Sequence, residues 1–261
     1  MKIAAFNVKN LGWTKVNKNV VRNNLIKIVS RYSVVVMLEV VDQSGKAMAK
    51  FLRELNNFES NTRHPYTMLC SEPLGRSSYK EKFVFFYRED EVRLIDSYQY
   101  EEEDEDMLAS EPFILRFKCP NTVVKNLVLI PVHTKPEDAE RELNALDKVV
   151  KAVKRRWRTN NIMILGDLNA DGRYLSRRAR ESVSIRSAPY YWLIGDDVDT
   201  TTSDSTDHTY DRIVVYGDDM CDAVVPDSAQ PFNFQAAYHL SDATTREISD
   251  HYPVEVELKK K

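Results

Sequence analysis

Short apolar runs with acidic, amide or imidazole side chains at their ends recur along this chain, and they constrain its fold more than any other feature. Residues 166–171 (Gly-Asp-Leu-Asn-Ala-Asp) follow the run at 161–165, and residues 249–251 (Ser-Asp-His) precede the run at 252–258. Each run is typical of a buried strand. Carboxylates and imidazoles are costly to bury, whereas oxygen ligands hold hard cations and histidine supplies a base. The pattern therefore predicts a metal-assisted catalytic site at strand ends.

The side of each run on which its polar residue lies predicts the direction of the strands. Glu39, His133 and Asp167 come after their apolar runs. Asp211, Asp250 and His251 come before theirs. If all of them meet at one site, the two groups of strands run in opposite directions. The sequence therefore predicts mixed, mostly antiparallel sheets rather than one parallel sheet with its loops at a single edge.

Apolar spacing predicts the elements around these ends. Helical spacing occurs at 20–31, 47–55 and 138–157. Strands are predicted at 2–8, 34–38, 66–70, 83–87, 92–98, 113–117, 127–132, 162–165, 213–216 and 254–258. Helices interspersed among so many strands favour an α+β architecture, with sheets packed together and helices outside.

Composition limits the class of protein. The chain has 261 residues and only 7 glycines, and no Gly-, Ser- or Pro-rich linker divides it, so residues 1–261 are predicted to form a single domain. A net charge of -3 argues against a generally basic nucleic-acid-binding protein, so contact with a polyanion needs a local patch. No apolar stretch approaches the length of a membrane span, and no membrane partner is expected.

Cysteine usage and the start of the chain favour an intracellular location, in the cytoplasm or nucleus. Cys70, Cys119 and Cys221 cannot all pair within one chain, no Asn-X-Ser/Thr sequon occurs, and Met1 leads directly into a strand-like segment. A signal peptide removed ahead of Met1 would instead indicate secretion.

Taken singly, the candidate residues have simpler interpretations. Glu39 and Asn7 could mark strands emerging into solvent, and a histidine could be structural. Asp167 and Asn169 could share one face of an extended segment or build a tight turn. Their repetition at strand ends makes coincidence the poorer explanation, and phosphodiester hydrolysis is a chemistry that needs this set. A divalent cation on Glu39 and nearby carboxylates would polarise a phosphoryl oxygen.

Two imidazoles would move the protons of that reaction. His251, oriented by Asp211, could take a proton from the attacking water. His133 could protonate or hydrogen-bond the phosphate or the leaving group.

Seven segments support a family resemblance: residues 2–7, 38–40, 71–81, 129–133, 166–171, 209–215 and 248–254. Through them the chain resembles the deoxyribonuclease I family, within the endonuclease/exonuclease/phosphatase superfamily, over nearly its whole length. The segments at 71–81 (Ser-Glu-Pro-Leu-Gly-Arg-Ser-Ser-Tyr-Lys-Glu) and 209–215 (Thr-Tyr-Asp-Arg-Ile-Val-Val) are far more specific to deoxyribonucleases than the other pieces.

The resemblance implies both a fold and an activity. The fold is a four-layer α/β/β/α sandwich with two packed, mostly antiparallel sheets. The activity is metal-dependent endonucleolytic cleavage of double-stranded DNA with little sequence preference, leaving 5′-phosphate ends. Mg²⁺ or Mn²⁺ would act at the active site, and Ca²⁺ would be structural or activating.

The resemblance also implies a role for individual residues. The catalytic histidines and the carboxylates that orient them are His133 with Glu81 and His251 with Asp211. The groups around the metal and the scissile phosphate are Asn7, Glu39, Asp167, Asn169 and Asp250. The substrate contacts are Arg76 and Tyr79 in the minor groove and Tyr210 at a phosphate.

The chain departs from the family at its disulfides and calcium loops. The half-cystines of one bridge are replaced by Gly172 and His208, so other packing or calcium must offset a loss of about 2–5 kcal/mol. The acidic run at 101–106 replaces a second, small disulfide loop. This run is either a calcium loop or a solvated acidic loop; its candidate ligands are Asp104, Asp106 and Glu111. Residues 199–204 resemble another calcium loop with an apparent one-residue shift, and its candidate ligands are Asp199 and Thr202.

The predicted DNA and actin contacts also differ from the family. Val41 and Ser110 stand where the family has arginines, which predicts weaker DNA binding and a shallower salt dependence. A cluster of arginines could compensate or could be a solvated helix face: Arg173, Arg177, Arg178 and Arg180. Residues 68–70 (Met-Leu-Cys) replace the family's actin-contact strand, so tight actin binding is not expected. A monomer is expected.

Two alternatives stay open beside the DNA endonuclease. One is a phosphatase or phosphodiesterase of the same superfamily that acts on phospholipids or inositol phosphates. The other is a catalytically idle protein that binds DNA or actin. Tyr79 and Arg76 favour DNA over the first alternative, and the complete histidine–carboxylate pairs argue against the second.

Overall fold

A computed structural model describes residues 1–103 and 105–261 of the chain. The strands are β1 (Lys2–Leu11), β2 (Val34–Val40), β3 (Tyr66–Cys70), β4 (Lys82–Arg88), β5 (Arg93–Gln99), β6 (Phe113–Lys118), β7 (Asn126–His133), β8 (Ile162–Asp167), β9 (Tyr190–Trp192), β10 (Asp211–Tyr216), β11 (Gln230–Pro231) and β12 (Val254–Glu257). The helices are α1 (Trp13–Val16), α2 (Asn19–Val29), α3 (Lys46–Asn57), α4 (Ala139–Trp157), α5 (Arg177–Ser182), α6 (Asp218–Asp222), α7 (Phe234–Ala237) and α8 (Asp242–Ile248). Short 3-10 turns lie at Glu59–Asn61 and Pro136–Asp138.

The strands form two six-stranded mixed sheets, in the orders β11-β12-β1-β2-β4-β3 and β5-β6-β7-β8-β10-β9. In the first sheet β1 is parallel to β2 and antiparallel to β12. In the second sheet β7 is parallel to β8, and β10 is antiparallel to β8. The sequence predicts that strands followed by a polar site residue run opposite to strands preceded by one. These pairings confirm that prediction.

Alternating side chains place the two sheets in the middle of four layers. Ile3 and Ala5 of β1 pack between the sheets, whereas Ala4 and Phe6 of the same strand face a second apolar cluster that contains α2 and α3. This alternation is what a strand with both faces buried requires. The architecture is the predicted four-layer α/β/β/α sandwich.

The longest helix, α4, covers the outer face of the second sheet. Leu143, Leu146, Val150 and Val153 recur at three- and four-residue spacing and pack on outward-facing residues of β7 and β8. Because this spacing lines one stripe of a helix, α4 buries its apolar side and leaves the other side to charged residues. None of the described helices combines the length and apolarity that crossing a membrane requires.

The predicted strand ends near the site are wrong by one or two residues. Glu39, His133 and Asp167 lie inside β2, β7 and β8 rather than after them, and Asp211 is the first residue of β10. Hydrogen bonding to neighbouring strands extends each strand beyond its apolar run, and apolar spacing alone does not report that pairing. The strands therefore carry these polar residues directly.

Candidate active site

Three neighbouring strands bring an imidazole and two carboxylates to one edge of the second sheet. His133, the last residue of β7, pairs with Asp167, the last residue of β8. Asp211, the first residue of β10, pairs with Asp167 from the other side. Since β10 runs against β7 and β8, two strand ends and one strand start meet here. Strand register alone builds the row His133, Asp167, Asp211.

Glu81 orients the first histidine. Its Oε1 atom lies 2.6 Å from Nδ1 of His133. The segment that carries Glu81 is itself fixed by an antiparallel bridge to Leu74. Burial alone would lower the pKa of His133, but the hydrogen bond and charge of Glu81, with the charges of Asp167 and Glu39, outweigh it and raise the pKa to about 9. Glu81 therefore fixes both the ring orientation and the proton on Nδ1.

Asp211 orients the second histidine in the same manner. Its Oδ2 atom lies 2.7 Å from Nδ1 of His251 and also accepts a hydrogen bond from Thr200 Oγ1 at 2.8 Å. Burial would lower the pKa of His251, but the charges of Asp211 and Asp167 raise it well above its ordinary value. Burial raises the pKa of Asp211 itself to about 6, against the opposing charge of His251.

The two imidazoles face a single carboxylate oxygen. Asp167 Oδ2 lies 3.7 Å from Nε2 of His133 and 3.5 Å from Nε2 of His251. Because both Nδ1 atoms are held by carboxylates, both Nε2 atoms are free to exchange protons with a group between the rings. Asp167 is only 2% exposed, so this group would sit at the mouth of a largely buried site.

A bulge in β2 turns Glu39 toward the same point. Glu39 has a φ of 60°, and the pairing of β2 with β4 shifts register between Met37 and Val40. The Nδ2 atom of Asn7 donates to Glu39 Oε1 and to Asp167 Oδ2, both at 3.0 Å. Asn7 thus joins the carboxylates of the two sheets, and its Oδ1 accepts the backbone N–H of Lys9 at 3.0 Å.

The residues present fit a hard divalent cation. Glu39 and Asp167 direct carboxylate oxygens to one point, and oxygen is the donor such cations prefer. Ligand atoms of Asp167, Asp211 and His251 also lie within 4.8 Å of one another, but Asp211 is engaged by His251 Nδ1 and Thr200. Glu39 and Asp167 also accept hydrogen bonds, from Asn7 among others, but each carboxylate oxygen has a further lone pair, so both are candidate ligands. Asp250 stands at the rim, with a side chain 54% exposed and its Oδ1 atom 3.7 Å from His251 Nε2.

The segment at 166–171 leaves the strand at Asp167 and turns over residues 168–171. Asp167 Oδ1 accepts the N–H of Asn169, and Asn169 has a φ of 45°. The Asn169 Nδ2 atom donates to the carbonyl oxygen of Thr134 at 2.9 Å. Gly166 has a φ of 145°, and a Cβ atom there would lie 2.0 Å from the carbonyl oxygen of Val132, so only glycine fits. The turn fixes Asp167 beside His133.

The positions of the missing disulfide lie side by side. A Cβ atom on Gly172 would lie 2.9 Å from Cε1 of His208. Asp171 Oδ2 accepts the N–H of Thr209 at 3.0 Å, which joins the same two loops by a hydrogen bond. The loops that a bridge would connect are therefore held together without one.

A buried arginine supports these loops from behind. Arg212 is 0% exposed and donates to the carbonyl oxygens of Ala170, Thr209 and Ile194 and to Asp196 Oδ1. Its fork of donors connects β10 to both segments that flank the missing bridge. This network supplies part of the stability that a disulfide would otherwise contribute.

Replacing Arg212 with methionine is expected to lower the free energy of unfolding by about 3–5 kcal/mol, because Asp196 loses a buried partner and three carbonyl oxygens lose their donor. Urea unfolding followed by circular dichroism measures the change. Arg178→Met, at an exposed arginine of α5, is the matched control and should stay within about 0.5 kcal/mol of the wild type. Equal urea midpoints for the two variants would show that the buried network does not hold the loops.

The four arginines of the predicted cluster differ in burial, with one buried and three exposed. Arg180 is 5% exposed and pairs with Asp171 Oδ1 at 3.1 Å, so its assignment to a surface patch is wrong. The apolar period of the short helix α5 is too weak to reveal that one of its arginines points inward. Arg173, Arg177 and Arg178 are exposed, and their contact with DNA stays a prediction.

The predicted substrate contacts lie around the mouth of the site. The Tyr79 side chain is 49% exposed and its hydroxyl donates to Asn10 Oδ1 at 2.7 Å. Tyr210 packs its ring between those of His208 and His251. Arg76 is paired with carboxylates: its Nε lies 2.9 Å from Asp106 and its Nη1 lies 3.7 Å from Asp138. DNA would have to exchange with these exposed pairs to contact Arg76.

The candidate calcium ligands occupy two separate places. Carboxylate oxygens of Glu102, Asp106 and Glu111 lie within 4.8 Å of one another, and Glu102 is a member that the sequence did not single out. Asp104 lies outside the described residues.

The second candidate loop adjoins His251. Asp199 Oδ1 accepts hydrogen bonds from the backbone and hydroxyl of Thr201. The hydroxyl of Thr202 donates to the carbonyl oxygen of Ser249 at 2.9 Å. Calcium binding at either place stays a prediction.

Three residues that support the site by hydrogen bonds were not predicted from the sequence. Thr200 holds Asp211, Thr134 holds Asn169, and Ser249 donates to the carbonyl oxygen of Asn7 at 2.6 Å while accepting the N–H of His251. Ser249 had a signal, since it opens the Ser-Asp-His segment. Threonines at strand ends carry no comparable signal, because they are common there for reasons of backbone preference.

Comparisons with known proteins agree with this geometry. Residues 4–251 match the family described as the Endonuclease/Exonuclease/phosphatase family. Deoxyribonuclease-1 of Oryctolagus cuniculus is 43% identical, over 99% of this chain and 92% of the relative. Deoxyribonuclease-1-like 1 of Homo sapiens is 42% identical, over 99% of this chain and 84% of the relative. The human Nocturnin catalytic domain with bound sulfate anion shares the fold, with a TM-score of 0.67 at 12% identity over 100% of this chain and 94% of that domain.

Proposed function

The chain belongs to the endonuclease/exonuclease/phosphatase family and, within it, to the deoxyribonuclease I family, and we propose that it is a metal-dependent endonuclease that hydrolyses phosphodiester bonds of duplex DNA. The observation that carries the proposal is the pair of carboxylate-oriented histidines whose Nε2 atoms face one oxygen of Asp167. Full-length similarity to proteins named deoxyribonucleases supports DNA as the substrate. Cleavage has little sequence preference and leaves 5′-phosphate ends.

The proposed cofactor is Mg²⁺ or Mn²⁺, with Ca²⁺ in a structural or activating role. Glu39 and Asp167 would hold the catalytic ion, and Asn7 would keep their carboxylates in place. Held there, a divalent cation would polarise a phosphoryl oxygen, stabilise the charge that develops on it and offset the repulsion between the two carboxylates.

The histidines carry the protons. His251 in its neutral form, with the proton on Nδ1, would accept a proton at Nε2 from the attacking water as the water oxygen forms its bond to phosphorus. His133 gives a proton from Nε2 to the 3′-oxygen of the leaving strand as the phosphorus–oxygen bond breaks. Asp211 and Glu81 keep the Nδ1 protons and the ring orientations throughout. Both Nε2 atoms lie within 3.7 Å of Asp167 Oδ2, so one phosphate at this point would be in reach of both rings.

A substrate comparison tests the proposal against its alternatives. Wild-type protein with Mg²⁺ is incubated in parallel with duplex DNA, an inositol polyphosphate and phospholipid vesicles, and phosphodiester and phosphate products are quantified. We expect turnover of DNA to exceed release of phosphate from the other substrates by at least about a hundredfold, because Tyr79, Tyr210 and Arg76 surround the mouth with groups suited to a DNA strand. Preferred turnover of the inositol or lipid substrate would support a phosphatase. Binding of DNA without cleavage would support an idle relative.

Other properties stay predictions. The chain is expected to act as a monomer inside the cell, without tight actin binding. Its three cysteines are unpaired, which is compatible with a reducing compartment.

A further inference from the structure

A cavity of about 330 Å³ opens beside His133, and His251 is not among the residues that line it. Arg76, Tyr79 and Lys135 line it with polar groups, and Leu74 and Pro136 supply apolar surface. His133 thus forms one wall of a space that none of the assigned catalytic contacts fills. Its two cations, Arg76 and Lys135, are paired with carboxylates at the protein surface, and the carboxylate Glu81 also lines it, so an anionic group would have to bind by exchanging with these exposed pairs.

Backbone geometry sends His133 and Lys135 to the same side of the chain. Lys135 has a φ of -73° and a ψ of 126°, so the chain continues in an extended form past the end of β7. Alternate residues of extended backbone point the same way. Thr134, between them, is 2% exposed and points inward to Asn169. His133, Thr134 and Lys135 all line the cavity; Thr134 is buried, whereas the Lys135 side chain is 48% exposed.

A buried carboxylate fixes the backbone of Lys135. Glu142 of α4 is 1% exposed and accepts the N–H of Lys135 and the N–H of Ala109. Ala109 also lines the cavity. One side chain thus joins two lining segments, and Lys135 extends from an anchored position rather than from a free loop.

The charge of Lys135 is available to a substrate. Its Nζ atom lies 2.9 Å from Glu137 and 4.0 Å from Asp138, and the Lys135 and Glu137 side chains are 48% and 62% exposed. Exposed ion pairs of this kind contribute little stability. A DNA phosphate competes readily for the lysine, because its neutralisation by the lysine releases counterions condensed on the DNA.

We propose that Lys135 binds a backbone phosphate of the cleaved DNA strand other than the scissile one. Two residues of extended chain span about 6.6 Å. This is about twice the axial rise of about 3.4 Å per nucleotide of one strand. With the scissile phosphate at His133, a long, exposed lysine side chain at this separation can reach a phosphate next to it along the strand. This inference rests on the proposed DNA endonuclease function and adds a cation that the assigned contacts do not include.

Binding of uncleaved DNA tests the assignment. Lys135→Gln is introduced into a His251→Ala background, and dissociation constants for a 20-base-pair duplex are measured with Mg²⁺ between about 50 and 200 mM salt. We expect affinity to fall about two- to fivefold. The slope of log K against log salt should become shallower by about 0.9, as expected for one lost phosphate contact. The loss should be the same for AT-rich and GC-rich duplexes, since phosphates carry no sequence information.

A matched lysine serves as the control. Lys151 on α4 is 65% exposed and pairs with Asp147 at 2.6 Å, but it does not line this cavity. Lys151→Gln should leave both affinity and salt slope unchanged. In the active enzyme, Lys135→Gln should raise KM with little change in kcat.

The outcomes separate the inference from the function on which it rests. Equal salt slopes for the Lys135→Gln and Lys151→Gln variants, with the parent protein still binding DNA, would overturn the role of Lys135 alone. A loss restricted to one DNA sequence would also overturn it, because it would indicate base readout. A parent protein that binds no DNA at all would overturn both the inference and the proposed function.

Discussion

His251→Ala is expected to slow the nicking of DNA by about 10²- to 10⁴-fold, because the variant loses the group that accepts the proton of the attacking water. His133→Ala should cause a loss of similar size, since Nε2 of His133 lies within 3.7 Å of the same Asp167 oxygen and would protonate the leaving oxygen. Initial rates on plasmid DNA at saturating Mg²⁺ measure both effects.

Another histidine supplies the control for these variants. His64 is exposed and pairs with Asp90. His64→Ala should nick DNA at the wild-type rate. All three variants should give the circular dichroism spectrum of the wild type, which separates lost chemistry from lost structure. Activity of His251→Ala within threefold of His64→Ala would contradict the assignment.

Glu39→Gln is expected to weaken binding of the catalytic divalent ion by at least about a hundredfold, since it removes one of two carboxylates directed to the same point. Glutamine keeps the length of the side chain and still accepts a hydrogen bond from Asn7, so the bulge in β2 should survive. Titration calorimetry with Mn²⁺ measures the affinity directly, without relying on cleavage.

Glu140→Gln controls for the lost charge. Glu140 is an exposed carboxylate in the first turn of α4, so its replacement changes the net charge by the same amount. Unchanged Mn²⁺ affinity in Glu39→Gln would mean that the ion is held elsewhere, for example by the Asp167, Asp211 and His251 group.

Much of the fold follows from local patterns of apolar residues. The strand Tyr66–Cys70 begins and ends where the apolar run predicts, and α4 begins within a residue of its prediction because its stripe of leucines and valines is long and regular. The opposed strand directions follow from the position of the polar residue, before or after each apolar run. These inferences need no knowledge of which strands are neighbours.

Other parts of the fold depend on contacts that local patterns do not record. The φ of Glu39 is positive because β2 changes register against both of its neighbours, β1 and β4. The short helices α5 to α8 carry too few turns for a clear apolar period. Asp211 and Asp167 become partners only through the pairing of β10 with β8.

Some site residues are likewise predictable from local sequence patterns, and others are not. Residues that bear charge at strand ends, such as His133 and Asp167, stand out because an apolar run rarely ends in a group so costly to bury. Supporting residues such as Thr200 and Glu142 do not stand out, since a threonine is common in a loop and a glutamate is common in a helix. Their roles arise from long-range hydrogen bonds to Asp211 and to the backbone of Lys135.

The loss of the bridge and the retention of the catalytic residues are consistent with each other. The bridge positions Gly172 and His208 lie beside the catalytic turn, and Arg212 and Asp171 tie the same loops to β10. Stability at this place comes from buried hydrogen bonds, which do not depend on the redox state of the compartment. The geometry of Asp167 is therefore maintained without a disulfide.

Conversion of supercoiled plasmid to nicked circles tests the central claim most directly. A closed circle offers no strand ends, so only an endonuclease produces the nicked form. Wild-type protein with Mg²⁺ should convert the plasmid, and an excess of chelator should abolish the conversion. Nicking that continues at the full rate in chelator, or a plasmid left intact by wild-type protein with Mg²⁺ and Ca²⁺, would contradict a metal-dependent endonuclease.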